Sequence, residues 1–187
     1  MRLDPERRRG QLIDATVAVL AETGYESASV NGVARYAGVS KGLMWRYFTD
    51  RDDLMEQTAS RTLTVVRDAV AADIDFTAPA PDVVRAAIRR AAGLLATHSA
   101  ELTALREIRS NRRLDFEEIH QGEELVFRRG QSEGTLDPGA DVRLMTIAYH
   151  GAVEGMLTYL GTHPEADADA YASGLAELLL RGFQNPQ

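Results

Sequence analysis

Residues 29–54, SVNGVARYAGVSKGLMWRYFTDRDDL, constrain this chain more than any other stretch. They encode two short helices, a tight turn between them and the start of a third helix. Val30, Val33, Ala34 and Ala37 recur at the i, i+3, i+4, i+7 spacing of one buried helical stripe, and Ser29 is placed to cap the free amides of the first turn. Gly38 stands where that helix must stop, and Val39 follows to drop into the crevice between the helices. Ser40 then caps a second helix expected over residues 41–48, with Leu43, Met44 and Phe48 facing inward. Ser40, Lys41, Gly42, Trp45, Arg46 and Tyr47 project outward or lie at its edges, a mixture that suits phosphates and base edges. Asp50 reads as the cap of the third helix, which starts near Arg51 and whose amide end could also hold a phosphate. Two helices so joined present one of them to a DNA groove.

This stretch closely resembles the DNA-binding domain of the TetR family of bacterial transcriptional regulators. The likeness rests on G-Y-E-S-A-S-V, V-A-R-Y-A-G-V-S-K-G, W-R-Y-F and D-R-D-D-L, and it runs from Leu12 to about Leu54. The resemblance implies a cytoplasmic homodimer that binds a palindromic operator and lets go when a small molecule fills a pocket in a larger helical domain. Together with the helical reading it nominates Ser29, Asn31, Ser40, Lys41, Gly42, Trp45, Arg46, Tyr47 and Arg51 as DNA contacts. Two positions depart from the family pattern. Leu43 stands where Thr or Ser is common, so one hydroxyl contact is missing or replaced; Trp45 stands where Tyr is usual, and its indole can donate a hydrogen bond but not accept one. Gly32 costs its helix about 1 kcal/mol relative to Ala, and it either allows close approach to the DNA backbone or is simply tolerated.

The net charge of −7 should repel a polyanion, but its distribution reverses that reading. Residues 1–51 carry eight basic and six acidic side chains, whereas the remainder carries 13 basic and 22 acidic ones. A slightly basic reading end attached to an acidic body fits a protein that touches DNA at one end only. Zero cysteines exclude disulfides and thiolate metal sites, no apolar run approaches membrane-spanning length, and the N-terminus lacks the apolar core of a signal peptide. Cytoplasmic location is the expectation.

The whole chain reads as all-α, with about nine helices and no strand. The first is expected over residues 5–23, with Pro5 at its favoured first position and Gly24 as its stop. A fourth helix, expected over about residues 51–75, is long enough to leave a helix-turn-helix domain (residues 1–50) and enter an effector-binding and dimerisation domain (residues 51–187). Pro79 and Pro81 then break the pattern. Five further helices are expected over about residues 81–97, 100–110, 114–133, 141–160 and 166–183.

In the C-terminal part the signals are weaker. Arg106, Arg109 and Arg113 share a face if the sixth helix continues that far, which would suit an acidic ligand or surface ion pairs with neighbouring glutamates. Tyr149, His150 and Glu154 interrupt an apolar helix and mark either a pocket wall or a dimer seam. The family resemblance places a four-helix dimer interface on the last two helices, carried by Ile147, Gly151, Gly155, Leu175, Leu178 and Leu179; ordinary intrachain packing is the alternative. The four histidines, His98, His120, His150 and His163, are scattered without an HxxxH pair, so no metal site or cofactor is expected. No nucleophile elbow, phosphate loop or dinucleotide fingerprint is present, so no enzyme is expected. The reading is a dimeric, sequence-specific repressor released from a DNA operator by a small-molecule effector. The alternatives are a small-molecule-binding helical protein with vestigial DNA binding, or a ligand-independent activator.

Overall fold

The computed structural model describes residues 4–112 and 117–184. Its regular structure is entirely α-helical among those residues: α1 (Pro5–Ser27), α2 (Val30–Tyr36), α3 (Lys41–Met44), α4 (Arg51–Ala71), α5 (Ala80–Thr97), α6 (Ser99–Asn111), α7 (Glu117–Ser132), α8 (Val142–Thr162) and α9 (Ala168–Phe183). Gly24, at φ 76°, breaks α1 where the sequence stops it, and a short turn carries the chain on to Ser27. Asp residues set three other starts, since Asp4, Asp141 and Asp167 each accept from amides of the first turns of α1, α8 and α9. The Asp167 cap explains why α9 begins at Ala168 rather than near residue 166.

Two helices are shorter than their periodicity implies. Helix α3 ends at Met44 instead of Phe48, because the backbone tightens: Arg46 N donates to Leu43 O and Tyr47 N to Met44 O, both i to i+3 bonds. Met44 O also accepts from Phe48 N at 3.0 Å, and this turn brings Phe48 into the core beside Met44. Helix α4 ends at Ala71, short of residue 75, where Ile74 N turns back to Ala71 O and Asp73 takes a left-handed conformation at φ 65°. Residues 114–116, expected to open α7, lie outside the described residues, as does Arg113.

The helices form two compact units. The first joins residues up to Val66 with α6; the second comprises residues 67–97 and the chain from α7 onward. In the first, Leu12 and Leu20 of α1, Val33 of α2, Met44, Phe48, Leu54 and Met55 close around one core, to which α6 adds Ala104 and Ile108. Packing therefore groups the chain differently from a cut after residue 50: α6, remote in sequence, belongs with the N-terminal helices. Helix α4 contributes residues to both units.

The second unit has its own core, built on Ile88 of α5, Phe127 of α7, Leu136, Met145 and Tyr149 of α8, and Leu180 and Phe183 of α9. Phe127 stands edge-on to both Tyr149 and Phe183, at centroid distances of 5.7 and 5.5 Å. Gly130 of α7 is buried where a Cβ would lie 2.5 Å from Leu136 Cδ1 and 2.9 Å from the Cβ of Ala80. A side chain there has no room, because both neighbours are themselves fully buried. Gly130→Ala is expected to destabilise the protein by roughly 1–3 kcal/mol through overpacking, read as a lower midpoint in chemical denaturation.

Candidate nucleic-acid interface

The turn between α2 and α3 is built almost entirely by backbone and cap chemistry. Ser29 Oγ accepts from Gly32 N at 3.1 Å, and Ser40 Oγ accepts from Leu43 N at 3.2 Å, so both serines cap the helices they precede. Gly38, at φ 66°, supplies the left-handed residue that ends the first helix, and Val39 N then closes onto Ala34 O at 2.9 Å. Val39 and Ala37 pack on the core. The start of α4 is locked by a reciprocal pair: Asp50 Oδ1 accepts from Asp53 N at 2.8 Å, and Asp53 Oδ2 accepts from Thr49 N at 2.7 Å. The Gln57 amide and the Thr49 backbone hold the Asp53 carboxyl below the usual carboxylate range.

These constraints leave one face outward. Asn31, Ser40, Lys41, Gly42, Trp45 and Arg46 are exposed, and Trp45 presents 42% of its surface despite being the largest side chain in the segment. The Lys41 ammonium sits 5.7 Å from the centre of the Trp45 ring, near enough for cation–π attraction to hold the two side chains together. Tyr47 is half-buried against the core and borders an open groove with Arg9 and Asp53. Leu43, the residue that departs from the hydroxyl-bearing pattern, is half-buried. Gly32 acquires a local explanation: a Cβ there would lie 3.0 Å from Ser27 O and 3.3 Å from Ser29 Oγ, crowding the cap itself. In the basic tract that opens α1, Arg8 donates to Gln11 Oε1 at 3.0 Å, while Arg7 and Arg9 are exposed.

Arg51 departs most from its sequence assignment as a DNA contact. Its Nη2 donates to Tyr25 O and its Nε to Ala28 O at 3.3 Å, with the guanidinium 4.4 Å from the centre of the Tyr25 ring. The side chain thus turns inward: it supplies a donor to the Ala28 carbonyl and a second one to that of Tyr25, which Ala28 N already reaches at 3.2 Å. On the other side of the same turn, Tyr25 N donates to Glu107 Oε2 of α6 at 3.0 Å.

The residues nominated for a ligand are divided between the two units. Arg106 and Arg109 lie on α6 in the first unit, both half-buried, and burial lowers the Arg109 pKa from its ordinary value. Tyr149, His150 and Glu154 lie on α8 in the second unit. Tyr149 is a core residue, and burial with the nearby Glu123 carboxylate raises its hydroxyl pKa well above the usual range. His150 Nδ1 lies 3.4 Å from Glu123 Oε1 of α7, and its ring stands edge-on to His120 at 5.1 Å. His120 and Glu123 had no visible sequence signal, because their partner is on another helix. Of the residues nominated for a dimer, Ile147 is 53% and Leu178 69% exposed, and Gly151 and Gly155 lie open on α8. Leu175 and Leu179 pack partly on the core of their own unit.

With this geometry in view, the comparisons with known proteins are informative. The family model described as bacterial regulatory proteins, tetR family, matches residues 12–58. The fatty acid metabolism regulator protein of Bacillus subtilis is 28% identical over 184 residues, covering 94% of this chain and 95% of the relative. The HTH-type transcriptional regulator BetI 2 of Chromohalobacter salexigens is 49% identical over 65 residues, which are 35% of this chain and only 31% of that protein. Two solved structures share the fold. A TetR-family transcriptional regulator from Haemophilus influenzae gives a TM-score of 0.77 at 20% identity, covering 98% of this chain and 100% of the other. The fatty acid degradation regulator FadR of Bacillus halodurans gives 0.71 at 22% identity, covering 94% and 99%.

The inward role of Arg51 has a direct test. Arg51→Ala is expected to destabilise the protein, measured without DNA, by roughly 1–3 kcal/mol, the cost of taking from the Ala28 carbonyl the donor that Arg51 supplies and uncovering the Tyr25 ring. A surface arginine that only met DNA would leave the unfolding midpoint unchanged.

Proposed function

We propose that the chain is a DNA-binding transcriptional regulator of the TetR family, acting as a homodimeric repressor released from a palindromic operator by a small-molecule effector. The observation that carries this reading is the doubly capped turn, which holds Lys41, Trp45 and Arg46 outward on one rigid face. In the docked complex α3 enters the major groove, Lys41, Trp45 and Arg46 meet phosphates and base edges, and Asn31, Tyr47 and the two capping serines flank them. Each capping hydroxyl accepts an amide hydrogen and keeps its own hydrogen for a phosphate.

Apolar exposure on α8 and α9 supports the dimer, since Leu144, Ile147 and Leu178 would leave water when two copies met, and Gly151 and Gly155 would let the backbones approach. Helix α4 is the covalent link through which effector binding in the C-terminal region would alter the spacing of two reading heads, at a typical coupling of about 1–3 kcal/mol. One relative is named for fatty acid metabolism, so acyl-chain compounds are the first effector class to screen. No described helix is long and apolar enough to cross a membrane; a protein that acts on chromosomal DNA would work in the cytoplasm. No catalytic step belongs to this reading, in keeping with relatives that are regulators.

Selection of bound fragments from random double-stranded DNA is expected to recover a palindrome. Lys41→Ala should weaken binding to it without lowering the unfolding midpoint, and should reduce the slope of log affinity against log salt by about 1 if the ammonium meets a phosphate. Weak binding with no shared sequence would overturn the operator, and unchanged affinity of the variant would overturn the assigned face.

A further inference from the structure

Helices α7 and α8 bring together two histidines and a glutamate that no spacing rule connects. One ligand atom from each of His120, Glu123 and His150 lies within 4.8 Å of the other two, and all three residues are half-buried. Two imidazoles and a carboxylate are the donor set of borderline divalent cations, zinc above all, and hard ions such as magnesium prefer all-oxygen sites. A cation about 2.0–2.1 Å from each ligand needs tetrahedral neighbours about 3.3–3.4 Å apart. His150 Nδ1 and Glu123 Oε1 already stand at 3.4 Å. The third ligand, within 4.8 Å of these two, would have to rotate closer to complete the set.

An ordinary ion pair accounts for this geometry less well. At 3.4 Å the His150–Glu123 contact is longer than a good hydrogen bond, which runs to about 3.2 Å. The second carboxylate oxygen of Glu123 is buried with no hydrogen-bond partner among the described residues, a costly arrangement for an anion. Nor is Glu123 one of a diffuse acidic surface. The adjacent Glu124 is held by Arg128 and Arg143, each at 3.1 Å, and these two arginines lower its pKa.

We propose that His120, Glu123 and His150 form a binding site for one divalent cation of the zinc class, clasping α7 to α8. Three protein ligands leave a fourth position for water or for a donor atom of a small molecule, as in sites that remain open to exchange. The site is independent of the DNA-binding reading and stands or falls separately from it.

The test is calorimetric titration of the full-length protein, stripped with chelator, against zinc chloride and against magnesium chloride. Cobalt(II) serves as the spectroscopic probe of coordination. The expected result is one zinc per chain, magnesium at least tenfold weaker, a visible cobalt band of tetrahedral intensity, and a higher unfolding midpoint with zinc. His120→Ala, His150→Ala and the near-isosteric Glu123→Gln should each weaken zinc binding tenfold or more and abolish the cobalt band. If the alanine variants lose their helical circular dichroism, Glu123→Gln alone decides. No zinc binding by the wild-type chain, or stoichiometric binding that survives Glu123→Gln with its cobalt spectrum unchanged, would overturn the proposal.

Discussion

A single guanidinium organises the N-terminal unit. Where Gly24 breaks α1, the chain must release carbonyls from helical bonding, turn, and enter α2 at an angle that aims α3 outward. Arg51, from the first turn of α4, donates to the Ala28 carbonyl, joins the Ala28 amide on that of Tyr25 and covers the Tyr25 ring, while Glu107 of α6 takes the Tyr25 amide. Three helices distant in sequence thus meet at one turn. The caps at Ser29, Ser40 and Asp50 set the local geometry at each helix start, and this clamp holds the turn from which α2 departs.

Such an arrangement suits a surface that must recognise a polymer rather than enclose a ligand. Four residues of α3 cannot be stable alone, since helix nucleation fixes several torsions for each hydrogen bond gained. Their order is imposed by Met44 and Phe48 below and by capping at the start. What remains outward is therefore pre-organised, and the proposed docking would sacrifice little conformational freedom beyond that of the outward side chains, Lys41 and Arg46 among them.

Features encoded by adjacent residues were legible in the sequence. The caps at Ser29, Ser40 and Asp50, the left-handed turn at Gly38, the stop at Gly24, the all-helical character and the inward Met44 and Phe48 all depend on neighbours within a few positions, where spacing carries the physics. Features decided by distant residues were not. Arg51 reads as a surface cation until the carbonyls of α1 arrive beside it. Tyr149 reads as part of a pocket wall or a dimer seam, but it stands edge-on to Phe127, which in turn meets Phe183, within one core. His120 and His150 look scattered because 27 residues separate Glu123 from its histidine on the neighbouring helix. Helix lengths failed for a related reason: periodicity does not register a tightening backbone after Met44 or the turn at Asp73.

The membership of α6 in the first unit bears on how such regulators can be recombined. Ala104 and Ile108 are fully buried among side chains of the N-terminal helices, and Glu107 closes the turn that carries the reading surface. The reading head is thus not a detachable cassette at the front of the chain. A chimera that splices it onto a foreign sensor has to carry residues 98–112 with it, or inherit a bare apolar flank along α1 and a turn that has lost one of its two anchors.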